Sequence, residues 1–148
     1  MGNICRSPAG ENIFAKLVRD AELEKSITWD SAGTYGYHAG NRPDRRMSEV
    51  LKERGIPVSG RAREFVVSDF DDFDLIITMD EENYANIVRL ARSEEDRNRV
   101  QRFTHYCTEH DHTEVPDPYY GGAAGFDLVA DLMLDGCAGI LDEVRKKV

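Results

Sequence analysis

The stretch DLIITMD, residues 74–80, carries five consecutive uncharged, mostly apolar residues between two aspartates. A run this short and this apolar, with no polar alternation, reads as a parallel strand buried on both faces. A strand of that kind needs helices to cover it, and the rest of the chain supplies helical patterns on either side. Residues 8–22 place Ile13, Phe14, Leu17, Val18 and Ala21 on one face. Residues 43–55 begin at a proline, carry a Met47/Val50/Leu51 stripe and stop at Gly55. Further helices are predicted over 81–92, with Tyr84, Ile87, Val88 and Ala91 inward, and over 124–147, from Phe126 to Val144. ITWDSAG (27–33) and VQRFTHY (100–106) read as strands, and 34–42 and 107–122 as loops. Alternation of this kind predicts an α/β sandwich around a parallel sheet.

The chain has 148 residues, the size of one domain, expected over 1–148. Its net charge of −9 argues against a nucleic-acid partner, because phosphate backbones are met by a surplus of Lys and Arg. No apolar run approaches the roughly 18 residues a membrane span needs, and no secretion signal is read at the start. Three widely spaced cysteines, Cys5, Cys107 and Cys137, read as free thiols in a reducing compartment, so a cytoplasmic protein is expected. Cys107, His110 and His112 offer metal-ligand types, but CTEHDH shows no fourth partner and reads as a solvated polar loop; no metal site is assigned.

The opening GNICRSP, residues 2–8, carries the chemistry. Ser7 followed by Pro8 is a helix start, with Ser7 as cap and Pro8 in the first helical position. A glycine-containing loop running into a helix aims several amides at one point, favouring an anion there by about 0.3–1 kcal/mol. Arg6 adds a planar fork of donors suited to two phosphate oxygens, and Gly2-Asn3 tolerates the left-handed backbone such a cradle requires. The same residues also suit a plain capped helix with a surface arginine. A doubly wound fold would feed this helix from a strand, yet only six residues precede Ser7.

GNICRSP, with Glu11 and an apolar helix behind it, resembles the catalytic loop of the low-molecular-weight protein tyrosine phosphatases, which reads C-x-G-N-x-C-R-S-P. Met1 takes the x; Gly2, Asn3, Cys5, Arg6, Ser7 and Pro8 match the rest. The resemblance covers nearly the whole chain: DSAGT (30–34), IITMD (76–80) and the acid loop PDPYYGG (116–122) also match. It implies a three-layer α/β sandwich with strand order 2-1-3-4, no cofactor, and hydrolysis of a phosphotyrosine protein or small aryl phosphate. Gly2, Asn3, Ile4, Cys5, Arg6 and Ser7 would bind phosphate, with Arg6 as clamp and Asp117 as acid and base. Asn3 and Ser31 would brace the loop; Tyr37, Tyr119 and Tyr120 would wall the cleft. Gly60 stands where many members carry His, which removes one bracing partner.

In that family the attacking cysteine lies six positions before the arginine, here one residue upstream of Met1. No other thiol fits, since Glu11, Thr113 and Glu143 stand six residues after Cys5, Cys107 and Cys137. The chain as given is therefore expected to be inactive and to lack the first, central strand of the sheet, with the natural protein continuing upstream. Alternatives are a non-catalytic phosphate- or phosphopeptide-binding relative, in which a partner chain or dimer mate supplies the strand, and an arsenate reductase of the same fold. The latter needs closely spaced extra cysteines, which Cys107 and Cys137 do not provide.

Overall fold

The computed structural model describes residues 2–119 and 122–148. Helix α1 spans Arg6–Asp20, α2 Arg45–Glu53 and α3 Asp69–Asp72; strand β1, Ile76–Thr78, follows. Then come α4 (Glu81–Arg89), α5 (Glu94–Asn98), β2 (Val100–Arg102), a 3-10 turn (Phe103–Tyr106) and the long α6 (Ala123–Arg145). β1 and β2 are parallel, with Ile76 opposite Val100 and Thr78 opposite Arg102.

The uncharged run at 75–79 does what its pattern requires. Ile76 and Val100 face a core with Phe70 and Ile87, covered by α3 and α4, while Leu75, Ile77 and Met79 face the other way. There they join the main core of Ala9, Ile13, Met47, Phe126, Val129 and Met133, supplied by α1, α2 and α6. Alternate side chains of one strand thus enter two separate cores, which makes the fold an α/β sandwich.

Four local expectations are corrected. Helix α1 begins at Arg6 and not at Pro8: Cys5 occupies the cap position without a side-chain bond, and Ser7 lies inside the first turn. Asn3, at φ 63°, turns the chain early enough for the helix to start two residues sooner. At α2 the cap is Asp44, whose carboxylate accepts from the amides of Arg46 and Met47 at 2.8 and 3.2 Å, so Pro43 precedes the helix. Residues 27–33 do not form a strand among the described residues, because only Gly33 finds a ladder partner, bridging Glu64. The expected strand 100–106 ends at Arg102 and tightens into the 3-10 turn. Helices α3 and α5 were not expected. α5 carries its own signal in Ser93, whose hydroxyl accepts from the Asp96 amide.

Gly136 and Gly139 look costly inside α6, at roughly 1 kcal/mol each relative to Ala. A Cβ at Gly136 would stand 2.2 Å from the Phe103 ring, and one at Gly139 2.1 Å from the Tyr106 carbonyl oxygen. Bare backbone lets α6 press against the 3-10 turn.

A cavity of about 1310 Å³ runs from Gly2 and Arg6, between residues 26–35 and 72–79, to Val144 near the end of α6. β1 has β2 on one edge, while Ile76, Ile77 and Thr78 also line this cavity. Two buried polar atoms on cavity-lining residues, Thr34 Oγ1 and Asn83 Nδ2, have no hydrogen-bond partner among the described residues.

Candidate active site

Residues 2–7 curl into the first turn of α1. The left-handed Asn3 is held from three sides: its Nδ2 donates to Ser7 Oγ at 2.8 Å and to Ser31 Oγ at 2.9 Å, while its Oδ1 accepts from the Arg63 amide at 3.0 Å. Ser31 Oγ in turn donates to Glu11 Oε1 at 2.7 Å. Burial, as the largest influence, raises the Glu11 pKa above its ordinary value, against the stabilising Ser31 bond. Asn3 and Ser31, both expected beside the loop, are hydrogen-bonded to each other, and Glu11 completes the chain. Gly60 leaves room for it, since a Cβ there would stand 2.9 Å from Glu11 Oε2, at a φ of +101° that side chains avoid. At Gly2 a Cβ would stand 2.4 Å from the His38 ring, which would have to turn aside.

The amides of Ile4, Cys5, Arg6 and Ser7 donate to no described residue. Those of Arg6 and Ser7, in the first turn of α1, are orphan donors of a helix start. Arg6 is 4% exposed, and one corner of its guanidinium is committed. Nη1 donates to Asp80 Oδ2 at 2.7 Å and to the Val115 carbonyl at 2.8 Å. The Nε–Nη2 edge has no hydrogen bond among the described residues, and Nη2 lies 3.8 Å from Asp117 Oδ2. Arg6 thus points inward, at the proline-flanked aspartate, with its two-pronged edge open. Asp80 was missed as a site residue, although its position between an apolar run and a helix marks a cap; it accepts from the Asn83 amide at 2.7 Å. Burial pushes its pKa up, but the Asn83 amide and Arg6 outweigh this and hold the carboxyl below its ordinary value.

Asp117 Oδ1 accepts from the Tyr119 amide at 3.0 Å, which leaves Oδ2 toward Arg6. Tyr37 and Tyr119 both line the cavity mouth. Tyr37 is 86% exposed and leans on Tyr35, ring centres 5.6 Å apart, so it stands at the rim of the cleft. Tyr120, expected beside Tyr119, lies outside the described residues. His110 is tied instead to α6, Nδ1 2.7 Å from Asp135 Oδ2.

All three thiols have pKa values raised above the ordinary cysteine value. Burial, with Asp44 and Asp117 adding to it, pushes Cys5 up to about 12; burial and Asp135 push Cys107 up to about 11. Cys137 is raised further still by complete burial. A thiolate fraction this small predicts slow chemistry. Native protein at pH 8 should react with iodoacetamide at all three sites at least about tenfold more slowly than the unfolded chain, whose thiols sit near 8.5. Fast, stoichiometric labelling of Cys5 in folded protein would contradict the environment described.

A loop of orphan amides ending in a buried arginine, facing an aspartate carried on a separate loop, is the arrangement of a phosphate-ester site. Comparison with known proteins gives the family. The profile of the low molecular weight phosphotyrosine protein phosphatases matches residues 1–148. A Synechocystis relative, named provisionally as a low molecular weight protein-tyrosine-phosphatase, is 48% identical over 148 residues, covering 100% of this chain and 94% of its own. The human low molecular weight phosphotyrosine protein phosphatase is 35% identical over 146 residues, 98% and 92% of the two chains. The crystal structure of a protein tyrosine phosphatase from Entamoeba histolytica, with Hepes in its active site, superposes with a TM-score of 0.95 at 39% identity, over 99% and 94%. The chain belongs to the low molecular weight phosphotyrosine protein phosphatase family, and it is a phosphatase by family.

Proposed function

We propose that this protein hydrolyses phosphotyrosine and related aryl phosphate monoesters in two steps, without a cofactor, using a cysteine that enters from a strand upstream of Met1. The carrying observation is the open Nε–Nη2 edge of Arg6 directed at Asp117. The orphan amides of 4–7 and Arg6 would hold the non-bridging oxygens, where charge builds in the transition state. The thiolate forms the S–P bond as the P–O bond to the phenol breaks, and Asp117 gives the departing oxygen its proton. Water then attacks the cysteinyl phosphate, returning a proton to Asp117 and releasing inorganic phosphate. Three free thiols fit action in the reducing cytoplasm.

The cavity supports the upstream strand. An extended segment between residues 26–33 and β1 would give β1 a second neighbour at about 4.8 Å, in the cavity lined by Thr34 and Asn83, whose buried polar atoms have no partner among the described residues. Its end would meet Gly2 at the cradle. A dimer mate or another chain could lend the same strand.

The test is a burst assay with p-nitrophenyl phosphate. Mass-verified 148-residue protein should release no burst, yet bind inorganic phosphate in competition with tungstate. Protein extended upstream by an apolar strand ending in Cys should release about one equivalent of phenolate before steady turnover. Turnover by the 148-residue chain, or none by the extended one, rejects the scheme. Phosphate binding without turnover by the extended protein would favour the non-catalytic relative, and arsenate reduction with thioredoxin would favour the reductase.

A further inference from the structure

We propose that Arg46 is a positioning residue that straps the loop carrying Asp117 onto the phosphate cradle, so that the acid faces the leaving oxygen. The proposal rests on the hydrolase reading above.

The acid loop is fixed firmly at its entrance. Val115 donates its amide to the Met79 carbonyl at 2.8 Å and accepts from Arg6 Nη1 at its own carbonyl. Beyond Val115 come Pro116 and Pro118, which have no amide to donate, and Asp117, whose own bond runs locally to the Tyr119 amide. The exit is where orientation can be lost. There Arg46 Nη2 donates to the Tyr119 carbonyl at 3.1 Å, and its guanidinium carbon lies 5.3 Å from the centre of the Tyr119 ring and 4.6 Å from that of Phe126.

Arg46 is itself held from the opposite side of the site. Its Nε and Nη2 bind the two carboxylate oxygens of Asp44 at 3.3 and 3.1 Å. The Asp44 backbone amide donates to the Ile4 carbonyl, in the cradle, at 2.6 Å. A continuous chain therefore runs from Ile4 through Asp44 and Arg46 to Tyr119 and thence to Asp117. A lysine could donate to Tyr119 but could not fork onto Asp44 while stacked between two rings. Because Asp44 caps α2 through the amides of Arg46 and Met47, truncating the Arg46 side chain leaves the helix start intact.

The first arm needs no catalysis. In the 148-residue chain, Arg46→Ala should speed exchange of the Tyr119 amide, which donates to Asp117 Oδ1, by about tenfold or more, with α2 and β1 exchange unchanged and Arg46→Lys between the two. The second arm uses the strand-extended protein. Arg46→Ala should lower kcat about tenfold for phenyl phosphate, which needs the acid, and less than about twofold for dinitrophenyl phosphate, which does not. Inhibition by inorganic phosphate should hold. Unchanged exchange at the Tyr119 amide, or equal losses for both esters, overturns the strap. Extended wild-type protein that turns nothing over would reject the hydrolase reading, while the exchange arm still decides the strap.

Discussion

Arg6→Ala is expected to cost the protein its oxyanion and a large part of its stability at once. The guanidinium edge that faces Asp117 can make two charge-assisted bonds to a phosphate dianion, each worth about 1.5–3 kcal/mol. Their loss should weaken phosphate or tungstate binding roughly 10²–10⁴-fold. The same side chain is the partner of Asp80 across 2.7 Å, with side-chain exposures of 3% and 19%. Removing one member of a buried pair typically costs about 3–5 kcal/mol, because the other charge is left stranded. Asp80 keeps some solvent and the Asn83 amide, so the lower end applies, about 3 kcal/mol or some 6–12 °C in Tm for a domain of this size.

The double variant Arg6→Ala/Asp80→Asn separates the two effects. It should recover much of the Tm while recovering none of the anion affinity, since no stranded carboxylate remains but no guanidinium returns. The sign of the pH dependence follows from the depressed Asp80 pKa. Its contribution is present above the unfolded carboxylate value and is lost as pH falls through the lower folded one. Wild-type stability should therefore decline on acidification with a component that Asp80→Asn removes. Full tungstate affinity in Arg6→Ala, measured by calorimetry on folded protein, would end the cradle assignment.

Where the sequence spoke clearly, it did so through patterns that one residue's neighbours already determine. The run at 75–79 needs two cores because it has no polar face, and Leu75 to Met79 enter both. Arg6 and Asp117 were legible together only through the resemblance; neither the spacing nor the composition says that a residue near one end meets another more than a hundred positions away. Residues 27–33 went wrong for a non-local reason. A strand is a property of two segments, and the apolar alternation of Ile27 and Trp29 says nothing of a partner. Asp80 was hidden by its ordinary position: a capping aspartate after an apolar run looks the same whether or not an arginine reaches it. Glu11 was visible in the motif, but its closure of the Ser31 network depends on the bare backbone at Gly60. The helix start at Arg6 was misplaced because Ser7-Pro8 is a strong local signal. The side-chain bonds of Asn3 to Ser7 and Ser31 and its bond from the Arg63 amide override it.

Asp117→Asn, introduced into the strand-extended protein, is the substitution that reads the chemistry most directly. Asparagine can still accept the Tyr119 amide as the Oδ1 oxygen does, so the loop should hold its shape. It cannot deliver a proton to a departing phenolate or take one from water. For phenyl phosphate the expected loss in kcat is about 10²–10⁴-fold, the usual range for general acid catalysis. For dinitrophenyl phosphate the acid is no longer needed in the first step, so the burst should survive and the base-assisted hydrolysis of the cysteinyl phosphate should become slow. The intermediate should then accumulate and be trapped by rapid acid quench. Phosphate affinity should not fall, and removing a carboxylate 3.8 Å from Arg6 Nη2 would favour the dianion if it changes it at all. Equal rates for both esters in wild type and variant would leave Asp117 as a turn residue between two prolines and move the acid elsewhere. An equal loss for both esters, with phosphate affinity gone, would instead mean that the loop itself had collapsed. Exchange at the Tyr119 amide distinguishes these, because that bond exists only while the side chain at 117 is turned back on its own loop.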